Sequence, residues 1–341
     1  MSLKVGVVGS GSWGTALAIM LSKKGHQVRL WSWKEEEARR LSETRENISF
    51  LPGIILPNNI LCTGDMEECI HDADLIVTAA PSHAIRTTAE RVKEFVKDNK
   101  IIVNVSKGLE ESSLLRLTEV ISEVIPQARV ATLSGPSHAE EVARDIPTTC
   151  VAASKNREVA EFIQDVFMNP KFRVYTNPDI VGVELGAALK NVIALSAGIC
   201  DGLDFGDNTK AALMTRGITE IARLGVSMGA KLETFAGLAG IGDLIVTCTS
   251  MHSRNRRAGI LIGKGKSLDE ALKEVHMVVE GVITTRAAYK LSKKNNVEMP
   301  IVNQAYSVLF ENKSPKTAVV DLMMRSKTHE MEEVVMSKYN W

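Results

Sequence analysis

The chain has 341 residues, 45% apolar and 24% charged, a globular composition long enough for about two domains. Lys plus Arg and Asp plus Glu both number 41, so overall charge gives no case for nucleic acid or an anionic membrane as the main partner. Five cysteines form no CxxC pair and no zinc-like spacing, which points to reduced thiols in a cytosolic protein and to no bound metal.

Lys4 to Val8 reads as a short apolar strand, and Gly9-Ser10-Gly11-Ser12-Trp13-Gly14 follows directly as GxGxxG. An amphipathic helix is predicted over 15–24, ending at Gly25. Strand, glycine turn and helix in that order make a phosphate cradle. Gly9 permits the tight turn, Gly11 lets backbone approach a pyrophosphate, and Gly14 lets helix pack on strand. The helix start then aims free N–H groups at the phosphates. Val28 to Trp31 is a second strand and 34–43 a charged helix, while 47–57, with two prolines and a glycine, reads as a loop.

Further along, 74–80 is a buried strand ended by Pro81, and 82–97 is helical. Ile101 to Val105 runs into Ser106-Lys107-Gly108, and Val130 to Leu133 runs into Ser134-Gly135-Pro136-Ser137. Thr149 to Ala153 and Phe172 to Tyr175 complete the strands. Strands alternating with helices predict a largely parallel, doubly wound α/β sheet of Rossmann type. Near Asn177-Pro178 the pattern changes to helices alone, over 181–200, 208–225, 254–263, 268–275, 281–295 and 301–311. The expected domains are therefore 1–180, binding a dinucleotide, and 181–341, an all-helical substrate domain. The polar tail from Glu330 reads as either ordered or frayed. No signal segment precedes the first strand, and no uninterrupted apolar run approaches the ~20 residues that span a bilayer.

The end of the second strand discriminates NAD from NADP, because an acid there bonds the ribose 2′-hydroxyl and a cation accommodates a 2′-phosphate. Here it reads Trp31-Ser32-Trp33-Lys34, with no acid closing the strand. Lys34 lies ~20 positions beyond Gly14, which favours NADPH over NADH. Lys34 also suits the exposed first turn of the next helix. The tryptophans could stack on adenine, or Trp31 could belong to the core.

Ligands of doubly wound sheets bind beyond the carboxyl ends of the strands, where Lys107 and the Gly135–Ser137 turn are expected. Glu184 to Asn191 lies in a helix of small apolar residues, so Lys190 and Asn191 must be paired or face a cleft. A buried lysine with a lowered pKa suits acid–base work, and Lys107 nearby would lower it further. Gly237 to Gly242 is a glycine-dense turn leading to Asp243 and then Thr247. Ser253 reads as an N-cap, with Arg254 and Asn255 at a helix start suited to a phosphate.

Together these residues resemble the NAD(P)-dependent glycerol-3-phosphate dehydrogenases of soluble, bacterial type. The motifs run through nearly the whole chain in family order: GSGSWGTALA, SKGLE, SGPSHAEEVA, LKNVIA, GLAGIGDL and SRNRRAG. The resemblance implies reversible reduction of dihydroxyacetone phosphate to sn-glycerol 3-phosphate, the precursor of phospholipid backbones, by a cytoplasmic homodimer. It implies that Lys190 is the general acid/base, with Lys107 and Asp243 beside it. Lys107, Gly135, Ser137, Asn191, Asp243, Thr247, Ser253, Arg254 and Asn255 would line the substrate site. Ser12, Trp13, Lys107, Ala139, Arg254, Val278 and Glu280 would touch the dinucleotide. The departure from the family is Trp33-Lys34, where relatives often carry a His-Arg-like pair. Two rival readings are another hydroxy-acid dehydrogenase of the same superfamily and a dinucleotide-binding sensor without catalysis.

Overall fold

The strands follow from apolar runs too continuous to face water on either side. Val5, Val7 and Val8 are all buried, as are Leu75, Ile76 and Val77, the pattern of parallel strands covered by helices on both faces. In this computed structural model, which describes residues 2–96, 98–327, 329 and 330, ten strands occur. They are β1 (Lys4–Val8), β2 (Gln27–Trp31), β3 (Glu46–Asn47), β4 (Leu51–Ile55), β5 (Ile60–Thr63), β6 (Leu75–Thr78), β7 (Ile101–Asn104), β8 (Arg129–Ser134), β9 (Thr148–Ala153) and β10 (Phe172–Asn177). Eight form one sheet in the order β10-β9-β8-β7-β6-β1-β2-β5. Order reverses beside β1, so its carboxyl end opens on the crevice where such sheets bind ligands. Lys97 and the polar tail beyond Glu330 lie outside the described residues.

Three local expectations change. The stretch 47–57 is not a plain loop: β3 and β4 pair antiparallel as a small hairpin. Asn47 orders it from within, because its buried amide donates to Ser10 O at 2.7 Å and Thr15 Oγ1 at 2.8 Å. Ser12 Oγ donates to Phe50 O at 2.6 Å, so the hairpin is stitched to the glycine turn. An unexpected strand, β5, closes the sheet edge against β2, with Leu61 exposed. Finally, β8 and β9 run antiparallel. Their connection holds only the short helix Ala139–Ala143, which turns the chain back instead of carrying it across the sheet.

From Ile180 the chain is helical. The helix Ile180–Gly202 begins where Asp179 caps it, accepting from Gly182 N at 2.9 Å. It is the axis of the second half, packed by helices Asp207–Ser227, Arg254–Gly263 and Glu280–Lys294. Among the described residues, two segments, Ile180–Gly202 and Leu232–Thr249, are long and apolar enough to cross a membrane. The first passes on its mean hydropathy of 1.5 although Glu184 and Lys190 interrupt it, so it is not an uninterrupted apolar run. Its helix is a core element, 89% buried in that window.

The crossing of Ile180–Gly202 with Arg254–Gly263 is set by glycine. A Cβ on Gly259 would run into Leu195 O, and one on Gly198 into Arg256 O. Backbones therefore meet where side chains ordinarily intervene. Gly259→Ala adds a methyl where neither backbone can yield. We expect a loss of about 1–3 kcal/mol, read as a lower denaturant midpoint at unchanged m-value. A midpoint equal to wild type would show that the crossing is loose.

Candidate active site

The dinucleotide end is built from backbone. Gly9 turns at φ +124°, and a Cβ there would sit 2.8 Å from Ala79 O. Gly14 packs on Gly9 and admits no Cβ at all, whereas nothing lies within 4 Å of a Cβ on Gly11. That open space faces a cleft of about 770 Å³. Gly11 N-caps the helix Ser12–Lys23 without a side-chain cap, so the first-turn N–H groups are free for phosphate oxygens. These features fit a bound dinucleotide.

The other end of the cleft is charged. Lys190, 5% exposed, donates to Asp243 Oδ1 and to Thr247 Oγ1, both at 2.5 Å. Lys107 donates to Asp243 Oδ2 at 2.7 Å and to Gly135 O at 2.9 Å. Asp243 is 1% exposed and lies beneath both lysines. Burial alone would raise its carboxyl pKa, but Lys107 and Lys190 hold it below the usual carboxylate value. Burial pushes Lys190 down to about 8, against the pull of Asp243, with Lys107 adding to the lowering. The result is an ammonium that can lose its proton near neutral pH, held by a carboxylate and aimed into a cleft.

Past Thr247 the chain turns into the helix Arg254–Gly263. Ser253 caps it, accepting from Arg256 N at 3.2 Å. Arg254 lines the cleft and donates to Val278 O at 3.3 Å. Burial lowers its guanidinium pKa, opposed by Glu280 and Glu140. Arg256 turns away to Asp201 at 2.7 Å, so the basic run is not a single solvated face. Asn255 donates to Asn191 Oδ1 at 3.0 Å and accepts from Gly281 N at 2.8 Å.

The family models for the N-terminus and C-terminus of NAD-dependent glycerol-3-phosphate dehydrogenase match residues 4–160 and 179–320. A glycerol-3-phosphate dehydrogenase [NAD(P)+] of Pelotomaculum thermopropionicum is 61% identical, covering 99% of this chain and 97% of that protein. One from Fusobacterium nucleatum is 56% identical over 97% and 99%. The chain belongs to the NAD-dependent glycerol-3-phosphate dehydrogenase family. The solved glycerol-3-phosphate dehydrogenase of Coxiella burnetii superposes with a TM-score of 0.92 at 37% identity, covering 95% of this chain and 99% of that one. Its match extends over both halves of this family member, the Rossmann-type sheet and the helical part.

Most residues singled out from sequence meet in the cleft: Gly9, Gly11, Ser12, Trp13, Trp33, Lys107, Ser137, Ala139, Lys190, Asn191, Thr247, Ser253, Arg254, Asn255, Val278 and Glu280. Four do not line it. Gly14 packs behind the turn, Gly135 supports Lys107 through its carbonyl, and Asp243 lies under the lysines. Lys34 is the exposed N-cap of the helix Glu35–Thr44. Trp31 is buried, with its indole N–H on Gly64 O at 2.9 Å, and also lines the cleft. Glu280 holds Ser82, accepting from its N at 3.0 Å and from its hydroxyl, and so ties the sheet to the helices. Sequence reading missed His138, His252, Glu37 and Arg91, which also line the cleft. His138 stands inside SGPSHAEEVA, yet nothing local marks it. Burial lowers its pKa, Lys190 and Lys107 lower it further, and its buried Nε2 has no protein partner.

The Lys190 shift has a definite sign. Between about 8 and the ordinary 10.5 the folded chain holds fewer protons at this site than the unfolded chain. Stability from this group therefore rises with pH across that window. Activity that needs the ammonium falls there. Asp243→Asn removes the anion that holds Lys190 up. The high-pH limb of kcat/KM for carbonyl reduction should then move down by roughly one unit or more. A limb at the wild-type position would separate Asp243 from the titration.

Proposed function

We propose that this chain reduces dihydroxyacetone phosphate to sn-glycerol 3-phosphate with NADPH or NADH, reversibly, and so supplies glycerophospholipid synthesis. The observation that carries this reading is the buried Lys190–Asp243–Lys107 cluster at the foot of a cleft that also holds the glycine turn and Arg254. Relatives at 56–61% identity over nearly the full chain bear one name, which weighs against another hydroxy-acid dehydrogenase or a non-catalytic sensor. A cytoplasmic homodimer, with no membrane insertion and no nucleic-acid partner, completes the proposal.

A reduced nicotinamide held in this cleft would supply the hydride for the ketone carbon. As the carbonyl oxygen gains charge, the Lys190 ammonium stabilises it and delivers a proton from Nζ. Asp243 keeps that ammonium charged in a buried place, and Thr247 fixes its direction. Lys107 shares Asp243 and adds positive charge where the alkoxide forms. Arg254, with Asn255 and the helix start at Ser253, takes the unreacting phosphate, and its binding energy orients the carbonyl. Ser137 lines the cleft near Lys107, and Gly135 supports that lysine through its carbonyl. Ser12, Trp13 and the glycine turn would hold the dinucleotide phosphates, and Ala139, Val278 and Glu280 would line the rest of its site.

Lys190→Ala should leave dinucleotide binding nearly intact and lower turnover by ~10²-fold or more, the scale for losing an acid–base group. Cofactor affinity and turnover measured on one preparation decide it, and near-normal turnover would remove Lys190 from the mechanism. Arg254→Ala should cost dihydroxyacetone phosphate about 1.5–3 kcal/mol in kcat/KM. Unphosphorylated dihydroxyacetone should lose far less at saturating cofactor. Equal losses on both ketones would mean that Arg254 does not read the phosphate.

A further inference from the structure

The cleft extends past the glycine turn to the ends of β2 and of the helix that follows β6. Sheet order places β6 and β2 on either side of β1, so side chains from these two elements flank the turn. Trp33, just beyond β2, is 65% exposed, an unusual state for so large an apolar ring. One ring face carries a cation: Arg91 Cζ, from the helix Ile85–Lys93, lies 4.8 Å from the ring centroid. Both residues line the cleft, and Lys34 does not. The ring contact fixes a long side chain that would otherwise sample many rotamers.

Glu37 lines the same end. Its Oε2 accepts from Ser32 Oγ at 3.0 Å, and Ser32 Oγ accepts from Ser10 Oγ of the glycine turn at 2.9 Å. Its Oε1 is buried and has no partner in the protein. A buried acceptor without a donor calls for a ligand group to supply one. The sequence pattern put no acid at the end of β2. The fold supplies one from the next helix.

We propose that Arg91 and Glu37, and not Lys34, select the cofactor at its adenosine ribose. The Arg91 guanidinium takes a 2′-phosphate, and Glu37 Oε1 accepts from a 2′-hydroxyl. The two side chains read alternative chemistries at one position, so the site takes both forms of the dinucleotide. Arg91 offsets the repulsion that Glu37 would otherwise exert on the phosphate. This inference rests on the dinucleotide reading of the cleft and deepens it.

The test uses adenosine fragments, whose binding does not depend on turnover. Calorimetry on the full chain with 2′,5′-ADP and with 5′-AMP is run at fixed ionic strength, because exposed charges are screened. Arg91→Ala should weaken 2′,5′-ADP ~10-fold or more, the range for a lost charge-assisted contact, and leave 5′-AMP nearly unchanged. Glu37→Gln should tighten 2′,5′-ADP and weaken 5′-AMP. The ratio of kcat/KM for NADPH to that for NADH should move in the same directions. Lys34→Ala should leave both fragment affinities unchanged. Equal losses of both fragments in Arg91→Ala would reduce Arg91 to a prop for Trp33 and overturn the proposal. So would a selective loss of 2′,5′-ADP in Lys34→Ala. Wild-type chain that binds neither fragment would overturn the dinucleotide reading itself, a result distinct from either of these.

Discussion

A helix buried along almost its whole length carries two buried charges, and neither can remain there unpaired. Glu184 and Lys190 both stand in Ile180–Gly202, where an isolated charge costs several kcal/mol or more. Glu184 is met from the sheet side: Arg116 donates to it at 2.5 Å and Thr118 N at 2.9 Å. Lys190 is met from the helical side by Asp243 and Thr247. Satisfying one helix thus fixes the segment after β7 against it on one side and the Asp243 turn on the other. The cleft is what lies between them.

The same constraint tunes the chemistry. Full burial without Asp243 would drive Lys190 toward a neutral amine, useless as a proton donor. Full pairing in water would leave it a permanent ammonium. Burial opposed by one carboxylate, itself shared with Lys107, leaves Lys190 between these limits. Asp243 is almost wholly buried and paired with both lysines. A buried ion pair is poor evidence for stability, and this one holds an ammonium whose pKa is lowered to about 8.

The two ends of the cleft use different physics. The glycine turn offers the cleft backbone, and the informative fact there is where a Cβ cannot go. Lys190 and Arg254 offer it charged side chains held by second partners. The hydrogen bonds of Glu280 to Ser82, across 198 residues of chain, join the sheet to the helices beside the cleft. The small-residue crossing of Gly198 with Gly259 brings the Arg254 helix close enough to Ile180–Gly202 for Asn255 to reach Asn191.

Much of this was legible in the sequence by itself. The glycine turn after an apolar strand, the change from strands to helices near Asn177, the Ser253 cap and the misfit of Lys190 among small apolar residues each depend on neighbours a few positions away. Such features survive in a one-dimensional reading because turn geometry, periodicity and desolvation act locally. What sequence could not decide depends on partners far along the chain. Lys107 meets Asp243 across 136 residues. The 46–55 hairpin exists because Asn47 finds Ser10 and Thr15. The antiparallel β8–β9 pair follows from where the chain returns. Lys34 falls outside the cleft while Arg91 enters it, because helix direction and strand order, not distance from the glycine motif, set where a side chain points. Residue chemistry fixed which groups needed partners, and only the tertiary structure decided which partners they found.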